Sequence, residues 1–480
     1  MLCATILESS TSAILTRMAA ASPKADLLEV RADAVAPGEL DLGAILARRP
    51  RPVVFTCRPT REGGLWRGTE EERLALLRAA HDAGADWIDV EWDARIEVDP
   101  ARVIVSRHDF EGALDIERVL ASLRDRKARY QKLAVLVDDA RAALALMARA
   151  AREARPTIAI AMGFPGVATR LMAERAGAPW TYAAAGDAAA PGQLALEKMS
   201  SLLAGRRVTR ATRALGVLGR PVAHSRSPAL MNAVFGTLGV DAVYSWLETQ
   251  EPAAILAATR ADPSWLGFSV TIPHKETAAK ACDRLSAGAR AVGAINTVAR
   301  SGEEWVGHNT DALAVRSVLS RATRLEGMRA DILGAGGAAR AAAWALREAG
   351  AKVRVFDRTP ERGKRLADDL GVEYAGPLAS CRAQGPGVLV NATSVGMTPA
   401  EDASPVGPEA FGAETIALDL VYTPEKTRFL RLAEERVART ITGMEIFVAQ
   451  ARAQLELWLG KHVSQRVSDE WLAERARRAS

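Results

Sequence analysis

The sequence predicts an α/β protein in two parts: a (β/α)8 barrel, then a two-lobed region whose second lobe is Rossmann-type. Three observations predict it. Residues 1–205 alternate eight short apolar runs with amphipathic or Ala-rich stretches, and alternating β and α segments build parallel sheets. Residues 206–213 are short, basic and polar, as a linker is. Residues 329–357 read as strand, Gly-rich turn, helix and second strand, the unit that holds a dinucleotide.

The eight runs of the first part are Cys3–Leu7, Leu27–Arg31, Val53–Arg58, Trp87–Trp92, Val103–His108, Lys132–Val137, Thr157–Met162 and Trp180–Ala184. Helical pattern fills Glu70–Gly84, Asp115–Lys127 and Asp139–Ala154. An open doubly wound sheet is the alternative to a barrel. In a barrel, chemistry sits at the C-terminal ends of the strands. Polar residues gather there: Glu29 and Arg31, Arg58 with Arg61-Glu62-Gly63-Gly64 behind it, Asp89 and Glu91, and Ser106-Arg107-His108-Asp109. Arg170 follows the seventh run, and Ala189-Ala190-Pro191-Gly192-Gln193 follows the eighth.

Lys132 opens the sixth run, the wrong end by that rule. Alternation puts it on one face with Ala134 and Leu136, the barrel interior. A lysine in an apolar interior reads as a reagent, because burial favours the neutral amine that attacks a ketone to form an imine. Only 10 of the 63 basic residues are lysine, so a lysine here carries more information than usual. His108 suits proton transfer near neutral pH. Arg58 and Arg170 suit an anionic substrate such as a carboxylate. Taken singly, His108 also reads as a strand-end histidine and Lys132 as a strand-start lysine. Their company on one rim favours chemistry.

Several motifs carry a resemblance over 1–205: Glu29-x-Arg31-x-Asp33, Phe55-Thr56-Cys57-Arg58 with Glu62-Gly63-Gly64, Ser106-Arg107-His108-Asp109-Phe110, Lys132-Leu133-Ala134, Arg170, and Ala190-Pro191-Gly192-Gln193. The segment resembles the type I 3-dehydroquinate dehydratases. The resemblance implies an imine between Lys132 and the substrate ketone, with His108 moving the protons and Glu62 holding His108. It also implies that Glu29, Arg31, Arg58, Arg170 and Gln193 bind substrate. Ala189 stands where a serine that contacts substrate often lies.

After the linker, residues 214–311 read as a smaller α/β lobe with apolar runs Leu215–Leu218, Ala242–Leu247, Leu266–Ile272 and Ala294–Val298. A helix opens at Pro228, with Ser227 as its expected N-cap. Three clusters stand out: His224-Ser225-Arg226-Ser227, Gly267 to Glu276, and Asn296-Thr297 with Asn309-Thr310-Asp311. Hydroxyl and amide groups in that number suit a polyhydroxylated substrate. Lys275 and Asp311 suit a proton-handling pair at a carbonyl. The bland readings are helix capping for the serines and for Asn309, and a solvated helix start for Lys275.

In the dinucleotide unit, Gly334, Gly336, Gly337 and Ala338 form the turn. Glycine there lets the chain lie close to a pyrophosphate held by the N–H groups of the helix. Asp357 lies near the spacing of about 20 residues expected of a ribose-reading acid. An acid there favours NAD, whereas Arg358 and Arg362 favour the NADP phosphate. NADP is expected, and Asp357 keeps NAD open. Asn391, Thr393 and Ser394 fall on a loop expected under the cofactor, and Asp419-Leu420-Val421-Tyr422 follows the next strand.

Together these motifs resemble the shikimate dehydrogenases over 213–480. The resemblance implies that Ser225 and Ser227 bind the substrate carboxylate and that Thr271, Asn296, Tyr422 and Gln450 contact substrate. It implies a catalytic Lys275–Asp311 pair. Arg358, Thr359 and Gly443 join the cofactor set. Residues 312–442 are then the NADP-binding lobe, and 443–480 are helices returning to the substrate lobe. Ser269 stands where bacterial members carry Asn, as in the fused plant enzymes. The two resemblances imply one bifunctional shikimate-pathway enzyme that makes 3-dehydroshikimate and reduces it with NADPH. Rival readings are a second domain acting on quinate with NAD, and an NAD(P)-binding regulator.

Other classes are disfavoured. The net charge of +5 is spread along helical faces, so no nucleic-acid surface is expected. Four scattered cysteines without a CxxC pair predict free thiols, no metal site and a cytoplasmic location. No membrane span or signal peptide is read in the sequence. The Arg-rich end, Trp471–Ser480, reads as a solvated helix.

Overall fold

The computed structural model describes residues 1–36, 38–112 and 115–478. The chain forms two compact units, Met1–Trp265 and Leu266–Ser480.

The first unit opens with eight parallel strands: β1 (Leu2–Ile6), β2 (Leu27–Arg31), β3 (Val53–Thr56), β4 (Trp87–Glu91), β5 (Val103–Asp109), β6 (Tyr130–Leu136), β7 (Thr157–Met162) and β8 (Thr181–Ala184). They run in sequence order, with β1 between β2 and β8. Across the β7–β8 seam, the N–H of Gly163 donates to the carbonyl of Pro191 at 3.1 Å. This is the barrel-like sheet that the sequence predicts.

The interior is layered by alternate strands. Trp87, Tyr130 and Trp180 come from the starts of β4, β6 and β8 and form an aromatic floor. Trp180 lies 5.4 Å from Trp87 and 4.9 Å from Tyr130 between ring centroids. Two residues on, the inward positions are Glu29, Asp89, Lys132 and Tyr182. Lys132 therefore does not open its strand. β6 begins at Tyr130, whose ring belongs to the floor, and Lys132 stands one layer higher.

The predicted helix Glu70–Gly84 is observed as Glu70–Asp82, started by a capping box between Thr69 and Glu72. Beyond the barrel, β9 (Arg213–Gly219) and β10 (Ala242–Glu248) pair in parallel, with Trp246 opposite Val217. Ser227 is not the N-cap expected. It is the first residue of the helix Ser227–Leu238, and no side chain caps that end. Its hydroxyl is therefore not spent on the helix.

In the second unit, β11 (Trp265–Val270), β13 (Thr297–Ser301) and β14 (Glu304–His308) pair antiparallel, and β12 (Arg284–Leu285) runs parallel to β14. The run expected as a strand from Ala294 starts only at Thr297, which leaves Asn296 at the strand entry. Next come β15 (Arg329–Leu333), β16 (Lys352–Phe356), β17 (Glu373–Gly376), β18 (Gly387–Asn391), β19 (Thr415–Asp419) and β20 (Arg439–Ile441), all parallel. Their order, β17-β16-β15-β18-β19-β20, reverses between β15 and β18, and ligands bind at such switch points. Ile332, Val355, Val390 and Leu418 pack under Ala339, Ala342, Ala343 and Leu346 of the helix Gly337–Glu348. The last helix is Asp469–Arg478; Ala479 and Ser480 lie outside the described residues. Among the described residues, no helix is long and apolar enough to cross a membrane.

Candidate active sites

In the barrel, a cleft is lined by Glu29, Arg31, Arg58, Glu62, His108, Lys132, Arg170 and Gln193. All eight predicted barrel residues meet there. Lys132 Nζ lies 3.1 Å from Asp89 Oδ2, 3.7 Å from Glu29 Oε1 and 4.4 Å from the centre of the Tyr182 ring. The expected apolar surroundings are thus corrected: the amine sits in a polar layer within an apolar barrel. The reason is Asp89, an inward residue of β4 that answers Lys132 across the interior.

Arg58 competes with Lys132 for that carboxylate. It reaches Asp89 Oδ2 at 2.8 Å and Glu91 Oε1 at 2.6 Å, and donates to Ser106 Oγ at 2.8 Å. Glu91 is held in turn by the fully buried Arg73 at 2.5 Å. Burial works to raise the Asp89 pKa, but Arg58 and Lys132 outweigh it and hold the carboxyl well below its usual range. Asp89 stays charged and shared. Arg31 is committed as well, bidentate to Asp33 at 2.9 and 2.8 Å. Asp33 also accepts the N–H of Leu65, which fixes the loop after Gly64. That loop needs glycine, since a Cβ on Gly64 would stand 1.9 Å from the carbonyl of Arg58.

Arg170 differs. It is 2% exposed, its Nε has no partner, and its nearest acceptor is the carbonyl of Pro191 at 3.5 Å. Burial alone pushes its pKa down to about 10. A buried guanidinium without a carboxylate is costly, and a bound anion would satisfy it.

His108 Nδ1 lies 2.9 Å from Glu62 Oε2, which also accepts the N–H of His108 at 3.0 Å. Nε2 is then the nitrogen left for the cleft. Burial, then Arg58 and Lys132, push the imidazole well below its ordinary pKa, so it is a neutral base at neutral pH. Burial raises Glu62 to about 7, against the pull of Arg58. Gln193 organises its loop: Oε1 accepts the N–H of Ala189, and Nε2 donates to Thr5 Oγ1, whose hydroxyl binds Glu29.

In the first unit, Ser225 on the loop after β9 and Ser227 at the start of the next helix are half-buried, with the N–H of Ser227 3.4 Å from Ser225 Oγ. In the second unit, Lys275 Nζ bonds Asp311 Oδ2 at 2.5 Å, and Asn296 Nδ2 donates to Asp311 Oδ1 at 2.7 Å. Asn296 Oδ1 accepts from the N–H and hydroxyl of Thr310 and the hydroxyl of Thr297. Asn309 caps the helix Thr310–Ala322, so its bland reading stands beside the functional one for Asp311. Thr271 lies just before that lysine, its carbonyl accepting the N–H of His274.

Lys275 also lines a groove of about 550 Å³, open to solvent, with Gly334 to Ala338, Asp357, Arg358, Thr359, Arg362, Thr393 and Ser394. A Cβ on Gly337 would stand 4.0 Å from Lys275 Cδ. The proton pair therefore adjoins the Gly-rich turn. Gly334 has φ +108, a backbone state that favours glycine. Gly336 precedes the helix Gly337–Glu348 with no side-chain cap, which leaves its first N–H groups for a pyrophosphate. Asp357 Oδ1 accepts the N–H of Thr359 at 2.8 Å, and the residue also lines the groove. Arg358 and Arg362 are exposed on the groove, and no carboxylate among the described residues pairs with either. These residues fit a dinucleotide with an added phosphate.

Asn391, Gly443 and Tyr422, three further expected contacts, are not among the residues that line the groove. Asn391 is buried and braces its loop, bonding Thr393, Val395 and Asp419. Gly443 starts a long helix where a Cβ would meet the carbonyl of Val421 at 2.2 Å, so it is small for packing. Tyr422 stacks at 5.1 Å on Phe447 of that helix. Gln450 is half-buried, but the glutamine that holds the lobe is Gln454, one turn on. It bonds Ser269, Thr297 and the carbonyl of Asn296. Sequence reading missed Gln454, though its spacing of four from Gln450 puts both on one face. It also left Asp89 and Tyr182 without roles. The paired acids on β4 were a usable signal, and Tyr182 offered none.

The family described as type I 3-dehydroquinase matches residues 2–209, and the shikimate dehydrogenase substrate binding domain matches residues 217–298. The chain is 33% identical over 471 residues to the chloroplastic bifunctional 3-dehydroquinate dehydratase/shikimate dehydrogenase of Arabidopsis thaliana, covering 91% of this chain and 78% of that protein. It is 42% identical over 264 residues to the shikimate dehydrogenase (NADP(+)) of Anaeromyxobacter dehalogenans strain 2CP-1, covering 53% of this chain and 93% of that one. Among solved structures it is similar to the shikimate 5-dehydrogenase of Thermus thermophilus in complex with NADP(H) and shikimate, with TM-score 0.50, 37% identity, and coverage of 56% of this chain and 100% of that chain.

Proposed function

Because the chain belongs to the family of bifunctional 3-dehydroquinate dehydratase/shikimate dehydrogenases, we propose that it carries both activities: dehydration in the barrel, and NADPH-dependent reduction beside the Gly334–Gly337 turn. One observation carries this reading. Each unit holds its own lysine–carboxylate pair at its own cleft, Lys132 with Asp89 and Lys275 with Asp311.

In the barrel, Arg170 takes the substrate carboxylate. The Lys132 nitrogen attacks the ketone carbon of 3-dehydroquinate; the carbonyl oxygen leaves as water with two of the nitrogen's three protons, and a protonated imine remains. The imine acidifies the neighbouring C–H. His108 Nε2 removes that proton, and the departing hydroxyl takes it back and leaves as water. Glu62 keeps Nδ1 engaged, so the same nitrogen serves both transfers. Hydrolysis of the imine frees 3-dehydroshikimate and restores Lys132.

In the second reaction, Ser225 and Ser227 keep the substrate-carboxylate role that the sequence resemblance implies. NADPH, when bound, supplies a hydride for the ketone carbon. Lys275, held by Asp311, gives a proton to the ketone oxygen. Asn296 fixes the other oxygen of Asp311, and Gln454 fixes Asn296. Residues 1–205 are the dehydratase domain, 206–213 the linker, 214–311 the substrate lobe, 312–442 the NADP lobe and 443–480 the helices that close the fold. The four free cysteines support a cytoplasmic location.

Mixing the enzyme with 3-dehydroquinate and NADPH tests the whole reading. NADPH absorbance should fall after a lag, because oxidation needs both steps in order. Oxidation with 3-dehydroshikimate but none with 3-dehydroquinate would remove the barrel activity. No oxidation with either would favour the regulator reading.

Cofactor choice has its own test. Replacing Arg358 and Arg362 together by alanine should raise KM for NADPH by on the order of 10–100-fold, the loss of two charge-assisted contacts. KM for NADH should hardly move. An equal rise for both cofactors would place the arginines away from the added phosphate.

A further inference from the structure

The geometry points to Trp246 as a positioning residue for both reactions, holding one loop of each site. The inference rests on the proposed roles of the barrel cleft and of Ser225 and Ser227.

Trp246 lies on β10 and is 3% exposed. Its ring meets Phe164 edge-on, with centroids 6.0 Å apart. Phe164 opens the short turn Phe164–Gly166 directly after β7. Its neighbour Gly163 donates its N–H to the carbonyl of Pro191. A Cβ on Gly192 would stand 2.2 Å from the carbonyl of Gly163, so the two loops are locked together. The same Pro191 carbonyl is the one acceptor near Arg170. Moving Phe164 therefore moves the strand end beside the only unpaired arginine of the cleft among the described residues.

The other end of Trp246 holds the serine loop. Its Nε1–H donates to the carbonyl of Ser225 at 3.2 Å. The N–H of Ser225 bonds the carbonyl of Val222 at 3.0 Å, and the N–H of Val222 bonds Glu248 Oε2 at 3.1 Å. Trp246 and Glu248 are two apart on one strand and so share a face. Together they clamp the loop from Val222 to Ser225. A buried indole N–H needs a partner, and here that partner is backbone of the loop proposed to bind the substrate carboxylate.

This junction is braced on both sides. The Asp139 carboxylate, just beyond β6, accepts from Thr249 Oγ1 at 2.9 Å and from the N–H of Gln250 at 2.9 Å. Arg220 Nη1 donates to the carbonyl of Asp138 at 3.2 Å. The frame is therefore fixed, and the indole is the piece that touches both loops.

Two substitutions separate its two ends. Trp246→Phe keeps a ring against Phe164 and removes the N–H. KM for 3-dehydroshikimate should rise about fivefold, the scale of one hydrogen bond, with kcat of reduction and KM for 3-dehydroquinate little changed. Phe164→Ala keeps the N–H bond and removes the ring contact. KM for 3-dehydroquinate should rise by a similar factor of about five, with reduction little changed. Phe164→Leu, which keeps the volume, replaces it if Phe164→Ala fails to fold by its melting transition. A merely structural role would move both activities together. An unchanged KM for 3-dehydroshikimate in Trp246→Phe, or for 3-dehydroquinate in the Phe164 variant, overturns the inference. The wild-type enzyme assayed alongside keeps that outcome distinct: if it turns over neither substrate, the functional reading itself has failed, and this inference with it.

Discussion

Lys132→Ala abolishes dehydration of 3-dehydroquinate and leaves reduction of 3-dehydroshikimate at its wild-type rate. Without the amine there is no imine, and the C–H beside a plain ketone is a far weaker acid. Removing a nucleophile costs on the order of 10⁶ in kcat in well-studied hydrolases, and a loss near that scale is expected. The variant should still fold. Asp89 keeps Arg58 at 2.8 Å and Ser106 at 2.5 Å, so its charge is not stranded, and Glu29 keeps Thr5 and Thr56. Borohydride reduction during turnover provides a second readout. The wild-type chain should gain the mass of a trapped substrate at Lys132, and the variant should gain none. Full dehydration by Lys132→Ala would end the imine mechanism. A parallel loss of reduction would mean that the substitution damages the fold.

What the sequence made legible follows from which signals are local. Alternation told which face a residue occupies, and so put Lys132 indoors. The Gly334 turn, with a strand before it and a helix after, announced the groove. Register is not local. That Asp89 meets Lys132, and that Arg58 takes the same carboxylate, depends on how β3, β4, β5 and β6 align, and no single run encodes that. The apolar setting expected for Lys132 failed for this reason. Asp357 illustrates the same limit: its type pointed to a ribose, and its hydrogen bond from the N–H of Thr359 adds that one of its oxygens also braces the turn. Ser227 looked like a cap and proved to be the first helical residue. Gln450 and Gln454 share a helical face, and only the packing of Ser269 and Thr297 against that helix distinguishes them.

Lys275→Ala should reverse the first result, losing reduction and sparing dehydration. The argument turns on what survives the substitution. Asp311 keeps Asn296 on its Oδ1, and Asn296 keeps Thr310 and Thr297, so the lobe retains its frame. The groove keeps its Gly-rich turn and Arg358, so KM for NADPH should change little. What disappears is the proton that meets charge growing on the ketone oxygen. General acid catalysis of that kind contributes about 10²–10⁴-fold, and kcat for reduction should fall in that range. Asp311→Asn tests the pair rather than the lysine. It removes the charge that holds the ammonium at 2.5 Å and should lower kcat less than Lys275→Ala, because the donor remains but is poorly placed. Initial rates of NADPH oxidation with 3-dehydroshikimate measure both. Normal rates in Lys275→Ala would remove it from the catalytic set, and the proton would then have to come from outside the pair. A deficit in Asp311→Asn equal to that of Lys275→Ala would instead mean that the two residues act as one unit.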